Sequence, residues 1–333
     1  MSILVTGAAG FIGMHVARAL LARGERVIGL DNFNDYYDVR LKEARAALLM
    51  AERGFSLYRL DIADRAGMED FFARHPDITG IVHLAAQAGV RYSLENPYAY
   101  VQSNLMGQVV MLEGARHLRG LRHFVYASSS SVYGANEKQP FAVGDAVDRP
   151  VSLYAATKRA DELMTRTYSH LYGLPATGLR FFTVYGPWGR PDMAPFLFAA
   201  AVAAGRPIRV FNHGDMQRDF TYIDDIVAGV VAALDRPAQP SADVPGGDVV
   251  PHRIYNLGNN RPERLLDFIA AIESSLGRQA EKIMEPMQPG DVPATFADIT
   301  ASTAELGYVP RIAMAHGVDR FIAWYKDFYL TGQ

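Results

Sequence analysis

The 333-residue chain contains no cysteine. That excludes disulfides, thiolate metal ligation and a cysteine nucleophile. Charge of one sign is also missing: 33 Lys and Arg stand against 36 Asp and Glu, a net charge of −3. Such a balance gives no electrostatic case for nucleic acid. Long hydrophobic runs are absent too. The longest, residues 194–204, includes Pro195 and falls well short of the about 20 residues that cross a bilayer. Nothing resembles a signal peptide, since Ile3 to Val5 is a short run that stops at Thr6-Gly7. The nine histidines show no H-E-x-x-H or paired spacing, so no metal site is expected. There is no internal repeat, low-complexity tract or charge block. What is present is an apolar fraction of 49%, ample for a sizeable core. The length suits two domains, or one large α/β unit with an appended part. A soluble, cytoplasmic, globular protein is the expectation.

The first half alternates two signals. Short β-branched runs at 3–5, 26–30, 55–60, 80–84, 123–126 and 176–182 read as strands. Helical periodicity fills 11–23, 39–53, 64–74, 97–118 and 153–172 between them. This alternation predicts right-handed crossovers and a parallel sheet with helices on both faces. After residue 183 the texture changes, with Gly, Pro and aromatics clustered at 185–191. Strands at 208–211 and 253–257 then mix with helices near 194–204, 222–235, 262–276 and 314–329. Asn260 is the expected cap of the helix near 262, with Pro262 in its first turn and Gly277 after its end. Residues 236–251 read as a surface loop.

Gly7, Gly10 and Gly13 follow the first strand and open the first helix. The first glycine permits the tight turn and the second the approach of backbone to a pyrophosphate. The third lets helix pack on strand, and the helix N-terminus faces the phosphates. Asp31 ends the second strand, where a carboxylate accepts from the adenosine ribose hydroxyls and repels a 2′-phosphate. That favours NAD over NADP. Asp61 and Ile62, at the end of the third strand, are placed to edge the adenine.

Tyr154 and Lys158 sit at i and i+4, on one helix face. A phenol is a poor base at its free pKa of about 10. A nearby ammonium and a positive nicotinamide favour the phenolate, which can then take a proton from a sugar hydroxyl as hydride leaves the same carbon. Ser128 to Ser131 follow the fifth strand, at the crevice side of such a sheet. Their hydroxyls can bridge a substrate oxygen to the phenol.

Together the Gly loop, Asp31, the Ser run before Val132-Tyr133-Gly134, and the Tyr154/Lys158 pair resemble the extended short-chain dehydrogenases/reductases that act on nucleotide sugars. The resemblance runs over essentially the whole chain. Within that family the chain resembles the UDP-glucuronate 4-epimerases. The motifs that carry this are 31–38, 186–194, 218–225 and Gly290-Asp291-Val292-Pro293. The resemblance implies a Rossmann doubly wound parallel sheet with a smaller C-terminal α/β substrate-binding part. Residues 1–182 would bind NAD and 183–333 the nucleotide sugar, with room for the chain to cross back between them. It implies a homodimer as well, with helices 97–118 and 153–172 as candidates for a two-fold interface.

Roles follow from the same resemblance. Tyr154 is the acid/base, Lys158 its pKa partner and a nicotinamide-ribose ligand, and Ser129 the catalytic Ser/Thr. Cofactor contacts are expected from Gly7, Gly10, Phe11, Ile12, Gly13, Asp31, Asn32, Asp61, Ile62, Leu84, Ala85, Ala86 and Asn104. On the sugar side, Ser129, Ser130 and Thr183 sit near the hexose. Arg190 partners a substrate carboxylate and Arg218 a diphosphate, and uracil docks near Phe211. Arg91, Gln288 and Asp291 are further candidates. The implied reaction is C4 epimerisation of UDP-glucuronate to UDP-galacturonate through a 4-keto sugar. Ser130 and Ser131 stand where sugar 4,6-dehydratases carry an acidic pair, which disfavours that reaction. A UDP-glucuronate decarboxylase, a UDP-glucose/galactose 4-epimerase and a non-catalytic NAD-binding regulator remain as alternatives.

Overall fold

The computed structural model describes residues 1–240, 249–288 and 292–331. The first half runs β1 (Ser2–Thr6), α1 (Phe11–Ala22), β2 (Val27–Asp31), α2 (Val39–Met50), β3 (Phe55–Arg59), α3 (Arg65–Arg74) and β4 (Ile78–His83). Two short helices follow, α4 (Tyr92–Glu95) and α5 (Pro97–Tyr100). A wide π turn, Val101–Met106, carries the second of them into α6 (Gly107–His117). Then come β5 (His123–Ser129), α7 (Leu153–Tyr172) and β6 (Ala176–Phe181).

The remaining elements are β7 (Thr183–Tyr185), α8 (Ala194–Ala203), β8 (Ile208–Val210), β9 (Gln217–Arg218), β10 (Phe220–Tyr222) and α9 (Ile223–Leu234). After these come β11 (His252–Leu257), β12 (Glu263–Arg264), α10 (Leu265–Leu276), β13 (Lys282–Met284), α11 (Thr300–Leu306) and α12 (Met314–Tyr325).

Seven strands form one sheet in the order β11-β6-β5-β4-β1-β2-β3, every pairing parallel. Strands buried on both faces are mostly apolar, and β1, β2, β4 and β6 are buried at every position, with their polar residues at or next to the ends. The edge strand β3 is only partly covered. Alternate residues of β1 feed different layers: Ile3 and Val5 join the larger apolar cluster, Leu4 the other. The second half reaches back into this frame, because β11 is the seventh strand and α9 packs on α1. The strand order turns back between β1 and β4, which is where such sheets open a crevice at their carboxyl ends.

Differences from the sequence reading are local. The fifth strand runs on through Ser128 and Ser129, so only Ser130 and Ser131 lie beyond it, in a tight turn. The helix expected from residue 262 begins at Leu265, after the two residues of β12. Those two residues are drawn into pairing with β9, and Asn260 takes a positive φ of 55° instead of capping. Gly277 does end that helix in the left-handed conformation. Part of the loop expected at 236–251 lies outside the described residues. No helix among the described residues is long and apolar enough to cross a membrane.

Candidate active site

A cleft of about 850 Å³ opens along the carboxyl ends of the strands. Its floor at one end is the Gly7–Gly13 turn. Gly7 has φ 69°, and its N–H donates to the Leu30 carbonyl at 2.7 Å. A Cβ on Gly13 would stand 2.0 Å from the Gly7 oxygen, and one on Gly7 2.9 Å from the Ala85 nitrogen. The glycines are therefore fixed by contact, and they let β1, α1 and the end of β4 meet. Gly10 caps α1 with no side-chain hydrogen bond, so the first N–H groups of that helix are left to a ligand.

Asp31 ends β2 with both carboxylate oxygens engaged. Oδ2 accepts from the Ala9 N–H at 3.0 Å and Oδ1 from the Phe33 N–H at 2.9 Å. Burial raises its pKa against these bonds and the charge of Lys42. Asp61 accepts from Asn32 Nδ2 and from the Ala63 N–H, both at 2.8 Å. Gly7, Gly10, Phe11, Ile12, Gly13, Asp31, Asn32, Asp61, Ile62, Leu84, Ala85 and Ala86 all line the cleft. Thr6 Oγ1 fixes the last segment, accepting from the Leu84 and Ala85 N–H groups at 3.2 and 3.1 Å. A turn that a Cβ would fill, an uncapped helix start and a carboxylate at the end of β2 suit an adenine dinucleotide.

Helix α7 carries the next group. Ser152 starts it, its hydroxyl accepting from the Ala155 N–H at 3.1 Å. Tyr154 and Lys158 then reach the cleft from successive turns. Lys158 is buried, and its Nζ donates to the Ala127 carbonyl and to Asp161 Oδ2, each at 3.0 Å. Burial pushes the Asp161 carboxyl up to about 6 against the pull of Lys158. Behind this pair, burial and then the Lys158 charge hold His83 down at about 3, so it stays neutral at Thr6 Oγ1, 2.7 Å away. The Tyr154 ring meets Tyr100 edge-on, centroids 6.0 Å apart.

The serine run divides. Ser128 Oγ donates to Glu162 Oε1 at 2.6 Å, and Glu162 also holds Arg180 at 2.8 and 3.0 Å. Ser129 Oγ accepts from the Ser131 N–H at 3.1 Å. Ser129, Ser130, Thr183, Arg190, Phe211 and Arg91 share the cleft with Tyr154 and Lys158. Phe211 lies between two guanidinium groups, Arg91 at 5.0 Å and Arg209 at 5.3 Å from its ring centre. Arg190 is held by Asp192 through Nε at 3.0 Å and through Nη2.

Three expected residues are not brought to the cleft wall. Asn104 is buried behind it, where Oδ1 accepts from the Gln87 N–H at 2.8 Å and Nδ2 donates to the Gln87 carbonyl and Thr157 Oγ1. Arg218, on β9, points its Nη1 at the Gln217 and Pro293 carbonyls, 2.9 and 3.1 Å away. Gln288 does not line the cleft either, and Asp291 lies outside the described residues. Sequence reasoning passed over Tyr36, Lys42, Arg45 and Asp192. Tyr36, Lys42 and Asp192 line the cleft, and Arg45, fully buried, ties its two sides together. Its Nη1 donates to the Ala9 carbonyl at 3.1 Å and its Nη2 to the Trp188 and Gly189 carbonyls at 2.6 and 3.2 Å. The only hint was for Tyr36 and Asp192, which lie inside the 31–38 and 186–194 motifs; Lys42 and Arg45, on α2, carried none. No group of three or more metal-ligating side chains occurs among the described residues.

Comparison with known proteins gives the same picture. The model of the NAD dependent epimerase/dehydratase family matches residues 3–258. A probable UDP-glucuronate 4-epimerase of Rhizobium meliloti (strain 1021) is 48% identical over 336 residues, covering 99% of this chain and 98% of that protein. UDP-glucuronate 4-epimerase 4 of Arabidopsis thaliana is 50% identical over 335 residues, 99% of this chain and 76% of that protein. Among solved structures, UDP-glucuronic acid 4-epimerase from Bacillus cereus in complex with UDP-glucuronic acid and NAD matches with a TM-score of 0.88. Identity there is 34%, with 99% of this chain and 100% of that chain covered.

Proposed function

The chain belongs to the NAD dependent epimerase/dehydratase family, and we propose that it converts UDP-glucuronate to UDP-galacturonate by inverting C4. One observation carries the reading: a single cleft joins the Gly7–Asp31 dinucleotide wall to Tyr154, Lys158, Ser129, Thr183 and Arg190. The same reaction is named for relatives that match nearly the full chain.

Bound NAD⁺ would accept the C4 hydride and return it to the opposite face of the sugar. Tyr154 takes the proton of the C4 hydroxyl and later gives one back, with Lys158 one turn along the same face of α7. Ser129 and Ser130 hold the reacting oxygen toward that phenol, and Thr183 meets the hexose from β7. Asn104 acts from behind, fixing Gln87 and Thr157. The Phe211 ring, with the Arg91 and Arg209 guanidinium groups against it, marks the uracil end, and Arg91 serves the diphosphate. Residues 1–182 thus supply the NAD side and much of 183–333 the sugar side, with α9 and β11 built into the first.

The carboxylate brings a hazard. A 4-keto uronic acid is a β-keto acid, and it loses CO₂ when the C5–C6 bond aligns with the carbonyl π system. That bond's electron pair enters the C4–C5 enolate, and a solvent proton takes the place of CO₂ at C5. Arg190 opposes this by gripping the carboxylate out of alignment.

The active species in this reading is a homodimer in the cytoplasm, where both UDP-sugar and NAD are at hand. Tyr98, Val101 and Met106 on one helical run, with Leu163 and Leu171 on α7, leave large apolar side chains exposed for a two-fold contact. Sedimentation of the wild type and of Leu163→Glu tests this, since a wild-type monomer rejects it.

The deciding experiment supplies UDP-glucuronate and no external NAD, and follows the product by NMR. UDP-galacturonate is the expected product. Tyr154→Phe is expected to lower kcat by about 10³-fold with NAD still bound. A different product from the wild type, or turnover kept in the variant, overturns the proposal.

A further inference from the structure

Arg190 does not stand alone on the cleft wall. Two of its N–H groups are taken by Asp192, through Nε at 3.0 Å and through Nη2. Tyr36 joins them at the oxygen that Nη2 meets: its hydroxyl donates to Asp192 Oδ2 at 3.0 Å and also lies in contact with the Arg190 guanidinium. The two partners of Asp192 come from far apart in the chain. Burial, and then the Asp192 charge, push the Tyr36 phenol up to about 12, so it remains a donor. Its ring is packed on Tyr92, 4.6 Å between centres, and Gly89 leaves its hydroxyl room, since a Cβ there would come within 2.7 Å. Both Arg190 and Asp192 side chains are about one-fifth exposed, at 21% and 23%.

A guanidinium is a planar fork with five N–H donors. Asp192 occupies the Nε–Nη2 edge. The Nη1–Nη2 edge is the one left to grip a second carboxylate in two-point fashion. We propose that Asp192, locked by Tyr36, is a positioning residue that fixes the plane of Arg190, and so fixes the angle at which the substrate carboxylate is held. This rests on the proposed UDP-glucuronate reaction. Without the lock the arginine still carries its charge and still attracts the substrate, but it can swing about its long stem. The carboxylate then swings with it and passes through the alignment that releases CO₂. Asp192 also cancels the Arg190 charge before substrate arrives. The lock therefore trades binding strength for angular control.

This separates Asp192 from a residue that merely supports its loop. Asp192→Asn removes a negative charge and weakens the lock. It is expected to raise the ratio of decarboxylated UDP-pentose to UDP-galacturonate by at least about fivefold, the scale of one charge-assisted hydrogen bond. KM for UDP-glucuronate should stay level or fall. Tyr36→Phe, which leaves every charge in place, should raise the same ratio about twofold with KM unchanged. Arg190→Ala is the control, and should raise both the ratio and KM. Thermal melts accompany each variant, and if Asp192→Asn does not fold, Tyr36→Phe decides alone.

An unchanged product ratio in the folded variants overturns the inference. So does a ratio that rises only in step with KM, as in Arg190→Ala. The underlying reaction is judged separately: a wild type that makes no UDP-galacturonate defeats both. A wild type that epimerises, beside variants with its own product ratio, defeats this inference alone.

Discussion

Along β1, β2 and β4 the groups that face the cleft are set by backbone. Gly7 and Gly13 sit where a Cβ would collide with main chain, Asp31 is held by the N–H groups of Ala9 and Phe33, and the Leu84 N–H reaches the Thr6 carbonyl. Across the cleft, from Thr183 to Phe211, the facing groups are held by other side chains. Arg190 leans on Asp192, Asp192 on Tyr36, and Phe211 is flanked by Arg91 and Arg209. A wall made of main chain presents one fixed geometry, as a large invariant cofactor requires. A wall of paired side chains can exchange partners as a sugar turns over within it. Tyr154 and Lys158 stand between the two, Lys158 anchored from below by the Ala127 carbonyl and Asp161.

The largest effect is expected where the backbone wall is broken. In Gly13→Ala the new Cβ would lie 2.0 Å from the Gly7 oxygen and 3.2 Å from Ala8 Cα. No flexible side chain is there to yield, so the loop must open. A loss of about 4 kcal/mol or more is expected, with NAD absent from the purified protein. Absorbance of the released cofactor and a melting curve check both. A variant that keeps its NAD would mean the wall is softer than its geometry implies.

That contrast also decides how much was legible beforehand. The backbone wall follows from local text: a glycine turn between a strand and a helix, and an acid at the next strand end, need no partner from afar. Helix α7, expected at about 153–172, runs Leu153–Tyr172, and here too the ends are local: Ser152 precedes it and Gly173 follows in the left-handed form. The second wall is non-local. Tyr36 reaches Asp192 across 156 residues, and β12 exists because Glu263 and Arg264 find β9. Strands of two or three residues carry too little periodicity to stand out, which is why β7, β9, β10, β12 and β13 were not read. Asn104 shows the limit from the other side. Its residue type suits a cofactor contact, but its hydrogen bonds are already taken by Gln87 and Thr157.

Arg45 tests whether the two walls depend on one another. Its buried guanidinium reaches Ala9 and the Tyr37 hydroxyl through Nη1, and Trp188 and Gly189 through Nη2. Arg45→Met keeps much of the apolar stem and strands those acceptors. A loss of about 3 kcal/mol is expected, read as a fall in Tm. If the walls are coupled, KM for the sugar should rise with the NAD dissociation constant. A rise in only one would show that the tie serves one wall alone.

On the side-chain wall a single truncation should cost less. Phe211→Ala removes the face between Arg91 and Arg209 and is expected to raise KM about tenfold, or ~1.4 kcal/mol. The chemical step is untouched, so kcat should hold. A fall in kcat with KM unchanged would move Phe211 from binding the nucleotide to shaping the reaction.

The response to acid comes from two kinds of buried group, and the two differ in sign. Burial, first among the causes, holds His15, His123 and His252 down at about 4 and His83 at about 3. All four belong to the sheet or to α1. A folded pKa below the unfolded value of about 6.5 means stability present above pH 6.5 and lost as pH falls toward 4, because the unfolded chain binds the protons first. Asp219 works the other way. Burial raises it to about 6 despite four hydrogen bonds from the Asn259, Asn260 and Ala297 N–H groups and Thr221 Oγ1. Asp161 is likewise raised to about 6. Folded carboxyls that bind protons first gain stability as pH falls from 6 toward 3.8. Asp31 and Asp224 are raised as well, and His75 is lowered. The four deeply buried histidines outweigh the carboxyls, so Tm should fall between pH 6.5 and 4. His252→Gln should flatten that fall by up to one proton, and an equally steep fall in the variant would remove His252 from the account.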